Sequence, residues 1–331
     1  MRVLAGDIGG TNARLAIVAV DGVRAHVEQE QRSASRDAAG LAPIVQGFLA
    51  EAGVTLEAAC FGIPGRVIDG VARPPNLPWT IDERELAAAI GIPQTSIIND
   101  FDAVGHGIAL LGAQDIETLQ RGEPVAHGPV ALIGAGTGLG EAFLTWDAGG
   151  YRVHASEGGH AGFAARDDLE WGLRRALQDE FGHVSVERVV SGPGLIAIYR
   201  QLVAAGSGVE VVAVREEMGR QDPAAVIVRH GLAGTDPLCA TVLDRFTALL
   251  GAEAGDLALT VLATGGVYIA GGIAPRIVAR LRTGPFLAAF RAKGRLAEFT
   301  ARVPVHVVIN PDVGLLGAAA VAAHGVGPER S

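Results

Sequence analysis

Runs of apolar residues alternate with segments of helical spacing along the first third of the chain. The apolar runs predict four strands, at residues 3–5, 13–20, 58–63 and 96–98. Apolar positions three and four residues apart predict three helices, at residues 41–52, 83–90 and 101–111. Strands that alternate with helices in this way are typical of an α/β fold.

The opening pattern returns in the middle of the chain. Residues 130–133 and 141–146 again predict two strands, and a glycine-rich turn at residues 134–140 joins them, as residues 6–12 join the first two strands. This weak internal repeat predicts two related α/β domains that face one cleft. The remaining chain predicts mainly helices, at residues 168–181, 194–205, 222–230, 238–262, 275–281 and 314–323, with strands at 267–270 and 305–309.

A polar stretch that contains proline and glycine, residues 112–129, is the first plausible domain boundary. We therefore expect a small α/β domain at residues 1–109, completed by a C-terminal helix near residues 310–325. The large domain is expected at residues 110–309. A length of 331 residues allows each domain its own core.

Composition narrows the possible partners. Hydrophobic residues make up 49% and charged residues 19%, which is typical of a globular protein. The net charge of -9 argues against nucleic acid as a partner, because there is no surplus of cations for phosphates. Cys60 and Cys239 form no CxxC pair, and no apolar segment reaches membrane-spanning length. We expect a soluble cytoplasmic protein, since a strand begins at once and leaves no room for a signal peptide.

Glycine is the unusual component. The chain has 46 glycines, about twice the ordinary share of roughly 7%. They cluster where the backbone must turn tightly or approach a ligand, at residues 6–10, 134–140, 158–162, 192–194 and 265–272.

The first hairpin has the chemistry of a phosphate site. A glycine-dense turn can direct several N–H groups at a phosphate, and Asp7 can hold a hydrated Mg²⁺ beside it. The same residues also fit an ordinary hairpin turn. The second turn, at 134–140, matches neither the P-loop nor the G-x-G-x-x-G pattern, and a strand follows it where both motifs require a helix. Two facing hairpins of this type are similar to those of actin-like ATPases and sugar kinases.

Three polar groups are candidates for substrate binding. Asn99 and Asp100 end a strand and begin a helix, so they predict either a helix cap or a sugar ligand with Asp100 as proton acceptor. Glu157 and His160 flank a two-glycine turn suited to vicinal hydroxyls, or they belong to an ordinary surface loop. Glu187, which precedes an arginine, is by local context a residue of a solvated helix face.

Taken together, these motifs resemble the bacterial glucokinase family of the hexokinase/actin-like superfamily. The resemblance runs nearly from end to end. It is carried by GDIGGTNARL at residues 6–15, INDF at 98–101, GAGTGLG at 134–140, EGGH at 157–160, GHVSVER at 182–188, SGPGL at 191–195 and IAGGI at 269–273.

The resemblance implies two actin-like, ribonuclease H-like domains around a central cleft, and it assigns each motif a role. The first phosphate motif comprises Gly6, Asp7, Ile8, Gly9, Gly10 and Thr11, and Asp7 approaches Mg²⁺ through water. The second phosphate motif comprises Gly136, Thr137 and Gly138, and the adenosine motif contains Gly271 and Gly272. The implied glucose ligands are Asn99, Asp100, Glu157, His160 and Glu187, with Asp100 as the catalytic base. Asn76 is also expected to line the sugar cleft.

The implied reaction is transfer of the γ-phosphoryl group of ATP to the 6-hydroxyl of glucose, giving glucose 6-phosphate and ADP, with Mg²⁺. A homodimer is expected. The related repressor and kinase branch has a cysteine-rich zinc loop after its Glu-x-Gly-His motif, but no cysteine occurs at residues 161–168, so zinc is not expected. Two alternatives stay open: a kinase of another hexose, and a sugar-binding regulator that does not catalyse a reaction.

Overall fold

The fold is built on two main sheets that lie in different parts of the chain. The computed structural model describes residues 1–22, 24–75, 77–147 and 149–324. Among these, unit 1 contains residues 1–115, 147–155 and 310–324, and unit 2 contains residues 116–146 and 156–309.

The strands and helices are numbered in chain order. The strands are β1 Arg2–Ile8, β2 Asn12–Asp21, β3 Arg24–Ala34, β4 Ala58–Ile63, β5 Val67–Ile68, β6 Val71–Ala72, β7 Ile81–Asp82, β8 Gln94–Asn99, β9 Ile116–Gln120, β10 Val130–Ala135, β11 Leu139–Asp147, β12 Gly150–Ser156, β13 Gly266–Ala270 and β14 Val305–Val308. The helices are α1 Leu41–Ala52, α2 Glu83–Ile90, α3 Asp100–Ile108, α4 Asp168–Phe181, α5 Gly192–Ala204, α6 Val212–Met218, α7 Pro223–Ala233, α8 Pro237–Val261, α9 Val278–Thr283, α10 Phe286–Arg291, α11 Ala297–Arg302 and α12 Val313–His324.

The sheet of unit 1 has the strand order β3-β2-β1-β4-β8. The first three strands are antiparallel, whereas β1, β4 and β8 run parallel. Every residue of β4 is buried, as expected for a strand covered on both faces. Because β1, β4 and β8 are parallel, Ile8, Ile63 and Asn99 all lie at one edge of the sheet. That edge carries the polar residues singled out in the sequence.

Helices α3 and α12 pack against each other with their backbones in close contact. A Cβ added to Gly317 would collide with the carbonyl oxygen of Ala103, and one added to Gly107 would collide with that of Val313. On its other side α12 covers the sheet, where Leu315 packs in one apolar cluster with Val3. The two glycines thus set how closely α3, which begins at Asp100, lies to the sheet.

The strands of unit 2 form a sheet in the order β11-β10-β13-β14-β9. Its core is a large apolar cluster to which α5, α8 and α10 contribute. Helices α7 and α8 both begin at an Asp-Pro pair: Asp222 and Asp236 accept hydrogen bonds from the first-turn N–H groups of Ala224 and Cys239. Proline at the first helical position needs no hydrogen-bond acceptor, which makes such a pair a strong start signal. No helix in the described ranges is long and apolar enough to cross a bilayer.

Much of the predicted secondary structure is confirmed, and α1, α2, α4 and β4 have the predicted bounds. The predicted glycine turns were too long, because β1 continues to Ile8 and β11 begins at Leu139. Residues 112–129 contain β9, and the helix predicted at 275–281 begins as a 3-10 turn before α9. The hydrophobic pattern did not predict β3, because Ala25 and Val27 are followed on its half-buried face by polar residues such as Gln31 and Ser33.

The division into units also differs from the domains expected at residues 1–109 and 110–309. Residues 110–115 are grouped with unit 1. Residues 147–155 are grouped with unit 1 as well. Within that unit Val153 lies directly against Gly105 of α3, where an added Cβ would be 2.6 Å from Val153 Cγ1. The hydrophobic pattern of residues 147–155 carries no sign of this contact.

The contact between α3 and α12 gives a stability prediction. Gly317→Ala should destabilise the protein by at least about 1–3 kcal/mol, because the new methyl group cannot fit without separating the helices. Gly314→Ala is the matched control in the same helix, since its Cβ would lie 3.6 Å from Val104 Cγ2, an ordinary contact. Gly314→Ala should leave the free energy of unfolding unchanged or raise it by about 0.5–1 kcal/mol, because alanine favours a helix more than glycine does. Urea unfolding of both variants tests this, and equal stabilities would contradict the packing argument.

Candidate active site

The polar groups of unit 1 lie at the carboxyl-terminal ends of parallel strands. Asp7 is in β1, opposite Gly62 of β4, and Asn99 is the last residue of β8, opposite Ile63. Ligands of open α/β sheets bind at this edge. Gly62 has a clear local role, because a Cβ there would lie 3.5 Å from the Cα of Asp100 and 3.2 Å from Ala103 Cβ. The glycine lets the start of α3 lie close against the sheet.

Asn99 is the N-cap of α3. Its Oδ1 accepts the N–H groups of Phe101 at 2.8 Å and Asp102 at 3.2 Å, and its Nδ2 donates to the carbonyl of Gly65 at 2.9 Å. An amide side chain has two N–H donors, so one remains for a ligand. The sequence left capping and ligand binding open as alternatives, and this geometry is compatible with both.

Asp100 is the first residue of α3 and is largely withdrawn from solvent. Burial, and to a lesser degree the nearby Asp7 carboxylate, raise the pKa of its carboxyl from an ordinary 3.8 to about 6, while a hydrogen bond from Phe101 N–H opposes the shift. That hydrogen bond is 2.9 Å long. A carboxyl with this pKa is mostly ionised at neutral pH yet is a stronger base than an exposed aspartate.

Asp7 lies in a cluster of charged side chains whose contacts the sequence did not predict. Burial raises the pKa of Asp7, and the Arg14 and Arg32 guanidinium groups oppose that shift. Arg14 is directly opposite Asp7 across the β1–β2 hairpin. Its guanidinium donates to Glu30 Oε1 at 3.1 Å and to Asp312 Oδ1 at 2.6 Å. Arg14 was part of the sequence motif, and strand alternation across a hairpin was the signal that could have paired it with Asp7.

The first glycine turn is only three residues long and is held from both sides. Gly9 N–H donates to the carbonyl of Asn12 at 2.8 Å, and Ser35 Oγ donates to the carbonyl of Gly9 at 2.8 Å. The Ser35 N–H also donates to the carbonyl of Thr11 at 2.9 Å. Gly10 is half-buried and Thr11 is exposed at the tip. The turn therefore has a fixed backbone with its tip open to solvent.

In unit 2, three glycine-rich segments meet at the end of β10. The carbonyl of Gly136 accepts the N–H of Gly192 at 2.8 Å, and the carbonyl of Ala135 accepts that of Ile273 at 3.2 Å. The Gly136 N–H closes the turn onto the carbonyl of Gly138 at 2.8 Å. The second hairpin turn, the start of α5 and the 271–273 turn therefore form one backbone surface.

Glycine is required in this surface for two different reasons. Gly271 has φ of 81°, and an added Cβ would collide with the carbonyl oxygen of Ala135. By contrast, nothing lies within 4 Å of a Cβ built on Gly136 or Gly272. Packing therefore explains Gly271, whereas Gly136 and Gly272 border open space, where backbone can approach a ligand.

The polar turn at 157–160 contains a short 3-10 helix, Gly158–His160. His160 Nε2 is 3.8 Å from Glu157 Oε2, and His160 Nδ1 is 4.0 Å from Glu187 Oε1. The carbonyl of His160 is also 2.9 Å from His183 Nε2. The structure thus brings Glu187 together with Glu157 and His160, although Glu187 lies 27 positions after His160 in the sequence.

Glu187 does not lie on a solvated helix face, as its local sequence indicated. It is part of a 3-10 turn, Val186–Arg188, and its Oε2 accepts the N–H of Leu139 at 3.0 Å. A Cβ on Gly138 would collide with the same oxygen. Glu187 therefore joins the polar turn to the second hairpin within unit 2.

The remaining expectations concern Asn76 and metal binding. Asn76 lies outside the described residues. In the part of the chain that the structure describes, no three His, Cys, Asp or Glu side chains are grouped as a metal site. Asp7 is therefore a candidate only for a cation that takes most of its ligands from phosphate and water, as Mg²⁺ does.

Solved structures of glucokinases superpose on nearly the whole of this chain. A crystal structure of a glucokinase from an Antarctic psychrotroph superposes with a TM-score of 0.84 at 32% identity, covering 97% of this chain and 98% of that one. A ROK family glucokinase from Streptomyces griseus, crystallised with glucose and AMPPNP, gives 0.68 at 22% identity, covering 98% of this chain and 100% of that one. These matches confirm the expected α/β fold of two actin-like domains.

Sequence comparison gives the family. The glucokinase family model matches residues 4–325. A curated glucokinase from Trichormus variabilis is 44% identical over 337 residues, covering 97% of this chain and 98% of the relative. The chain belongs to the glucokinase family, as the sequence motifs predicted.

The raised pKa of Asp100 predicts how stability depends on pH. The folded chain holds the Asp100 proton more tightly than the unfolded chain, so this contribution to stability is complete below about pH 3.8 and is lost as pH rises through about 6. Asp100→Asn carries no charge. It should exceed the wild type in stability at about pH 8, by on the order of 2 kcal/mol, and should lose that advantage at about pH 4.

Urea unfolding of both proteins at the two pH values measures the difference. Asp82→Asn serves as control, because Asp82 also lies at the start of a helix but its hydrogen bonds are exposed to solvent. The control should show a much smaller change with pH. An advantage of Asp100→Asn that is the same at both pH values would exclude ionisation of the buried carboxyl as its cause.

Proposed function

We propose that the protein is a glucokinase, which transfers the γ-phosphoryl group of ATP to the 6-hydroxyl of glucose and releases glucose 6-phosphate and ADP. Membership of the glucokinase family supports this. The observation that carries the chemistry is Asp100, a buried carboxylate at the start of α3 whose pKa is raised to about 6. The ATP-side proposal is also supported by the Streptomyces relative, which was crystallised with glucose and AMPPNP.

Asp100 is proposed as the general base. Its carboxylate accepts the proton of the 6-hydroxyl while that oxygen attacks the γ-phosphorus, and the bond from phosphorus to the bridging oxygen of ADP breaks. The hydrogen bond from Phe101 N–H holds one carboxylate oxygen, Oδ1, and so orients the group. Asn99 lies beside it with one N–H donor left for a sugar hydroxyl.

Glu157, His160 and Glu187 are proposed to bind the other hydroxyl groups of glucose. Carboxylate oxygens accept hydrogen bonds from hydroxyl groups, and the imidazole of His160 can donate or accept. Glu187 Oε2 is already bonded to Leu139 N–H, which leaves Oε1 for the sugar. Because the same bond reaches the second hairpin turn, movement of Glu187 would disturb both sugar and phosphate binding.

The two hairpin turns are proposed to bind the phosphates of ATP, through the residue sets 6–11 and 136–138. Their glycines expose backbone N–H groups without intervening Cβ atoms. Gly271 and Gly272 are proposed to contact adenosine, in keeping with the open space beside Gly272. Asp7 is proposed to hold Mg²⁺ through water, and Mg²⁺ bound with ATP would neutralise phosphate charge.

A kinase of another hexose and a non-catalytic sugar-binding regulator are the alternatives. The regulator fits less well, because Asp7, Asp100 and both hairpin turns are all present. A cytoplasmic location and a homodimer stay predictions from the sequence, as does the boundary between residues 109 and 110. Sedimentation velocity would measure the oligomeric state directly.

The function is tested by release of ADP from ATP over a panel of hexoses. Glucose should give the highest kcat/KM, and Asp100→Asn should lower kcat by roughly 10²–10⁴-fold while retaining some glucose binding. In the wild type, kcat/KM should fall as pH drops below about 6, since Asp100 becomes protonated. Absence of ADP release with every sugar would favour the regulator.

Asp102→Asn is the matched control for Asp100→Asn. Asp102 is on the same helix, and burial also raises the pKa of its carboxyl to about 6. This variant should keep kcat within about tenfold of the wild type, because the proposal gives Asp102 no contact with substrate. A control that loses as much activity as Asp100→Asn would remove Asp100 from its specific role as base.

The metal requirement gives a separate prediction. EDTA should abolish phosphoryl transfer, and added Mg²⁺ alone should restore it, because the phosphates of ATP need a hard divalent cation. Asp7→Asn should raise the Mg²⁺ concentration that gives half-maximal activity. Elemental analysis should find no stoichiometric zinc, and one tightly bound zinc per chain would contradict this account.

A further inference from the structure

Glu141 is a carboxyl group in the interior of unit 2 for which the proposed reaction gives no role. It lies in β11 opposite Ile133 of β10, and only 4% of the residue is exposed. Its Oε1 has no hydrogen-bond partner among the described residues. Burying a carboxyl group is costly, so its surroundings must either neutralise it or use it.

The partner of Glu141 is a second carboxyl group, Glu253 of α8. Glu253 lies within hydrogen-bonding reach of Glu141, and burial raises the pKa of both carboxyl groups, that of Glu141 to about 8. Lys293 is the cation that faces the pair, but its Nζ donates to Asp256 Oδ1 at 2.6 Å and to the carbonyl of Ala252 at 2.7 Å. Lys293 lowers the pKa of Glu253 while Asp256 raises it, so the two influences oppose each other.

A single proton satisfies this arrangement. Two carboxylates in direct contact cannot both ionise without strong repulsion, whereas a proton between them makes the contact a hydrogen bond. The pair then carries one negative charge, and it titrates as a unit and not as two separate residues.

The same carboxyl group supports the polar turn at 157–160. A Cβ added to Gly158 would collide with Glu141 Oε2, so the Gly158 backbone lies directly on that oxygen. The Gly158 N–H is held by Ser156 Oγ at 3.0 Å. Gly158 is the first residue of the 3-10 turn, between Glu157 and His160. The turn therefore takes its position from the Glu141 side chain beneath it.

We propose that Glu141, sharing one proton with Glu253, is a positioning residue that holds the 157–160 turn in place for the sugar. This rests on the proposed function, since it assigns glucose to Glu157 and His160. With the proton present, one charge lies under the turn. Loss of the proton places a second negative charge under a turn that already carries Glu157 and approaches Glu187.

The charged groups around the pair set the direction of the effect. The negative charges of Asp256 and Glu157 oppose loss of the shared proton. The positive charge of Lys293 favours its loss, and His160 adds to this effect only when its imidazole is protonated. As pH rises through the alkaline range the proton is lost, the turn is displaced and glucose binds less tightly. The kcat should change little over that range, because Asp100, with a pKa of about 6, is already ionised.

The test is a measurement of kcat and KM for glucose from about pH 7 to about pH 9.5. In the wild type KM should rise by at least roughly fivefold, the lower end of usual coupling between sites, while kcat changes less than about twofold. Glu141→Gln cannot lose a proton and should show a flat KM. Glu253→Gln should behave likewise, and it keeps the test valid if Glu141→Gln does not fold.

Glu170→Gln is the matched control. Glu170 is only 3% exposed and lies in the same unit, but it belongs to α4 and is ion-paired with Arg166 at 2.5 Å. This variant should lose stability and keep the wild-type rise of KM with pH. A flat KM in the control would overturn the inference, because it would show that any buried carboxyl group produces the effect.

A second experiment tests the contact itself. Gly158→Ala should raise KM for glucose by at least about tenfold, and Glu141→Ala in the same chain should recover most of that loss by removing the colliding carboxyl group. If Glu141→Ala does not recover the loss, the inference is overturned. The same holds if KM rises with pH equally in the wild type, Glu141→Gln and Glu253→Gln. Either result would leave the proposed function intact. Wild-type protein that releases no ADP from ATP with glucose at pH 7 would overturn the proposed function, and this inference with it.

Discussion

The cost of keeping carboxylates away from water governs the construction of unit 1. Asp7 and Asp100 are both buried at the same sheet edge, and each is harder to ionise because of its surroundings. The start of α3 provides the main compensation for Asp100, since Phe101 N–H donates to its carboxylate. The guanidinium of Arg14 provides the main compensation for Asp7, because its positive charge favours the ionised carboxylate. These interactions require α3 to lie close to the sheet that contains the β1–β2 hairpin. The glycines at positions 62, 107 and 317 allow this close packing, because a side chain there would collide with or crowd a neighbouring element.

Unit 2 handles buried charge differently. Glu187 is only partly buried and is bonded to a backbone N–H, whereas Glu141 is neutralised by a proton shared with Glu253. Within the described ranges, neither carboxyl group forms an ion pair with an arginine as Arg14 does with Asp312. Unit 1 therefore stabilises its site carboxylates with a cation and a helix start, whereas unit 2 uses backbone donors and protons. We therefore expect the site of unit 1 to respond to pH near 6 and that of unit 2 near 8.

The sequence predicted the fold class, the family and most elements, because these depend on local patterns. Leu41–Ala52 and Asp168–Phe181 were correct to the residue, since apolar spacing and a following glycine mark their ends. The interactions of the candidate site were less accessible. The bond from Leu139 N–H to Glu187 joins residues 48 apart, so the local sequence of Glu187 indicated only a solvated helix face. Glu141 and Glu253 are 112 positions apart, and neither has a local feature that predicts the other.

The return of the chain to unit 1 has a consequence for biosynthesis. Arg14 donates to Asp312 across 298 residues, and α12 covers the sheet that the first strands form. While the ribosome is still making unit 2, Val3 and Ala5 lack the helix that covers them, and an apolar sheet face is exposed on the nascent chain. Unit 2 has no such dependence, because its residues form one span interrupted only at 147–155. The second half of the protein can therefore complete its core first, whereas the sheet of the N-terminal half stays uncovered on this face until α12 has been synthesised.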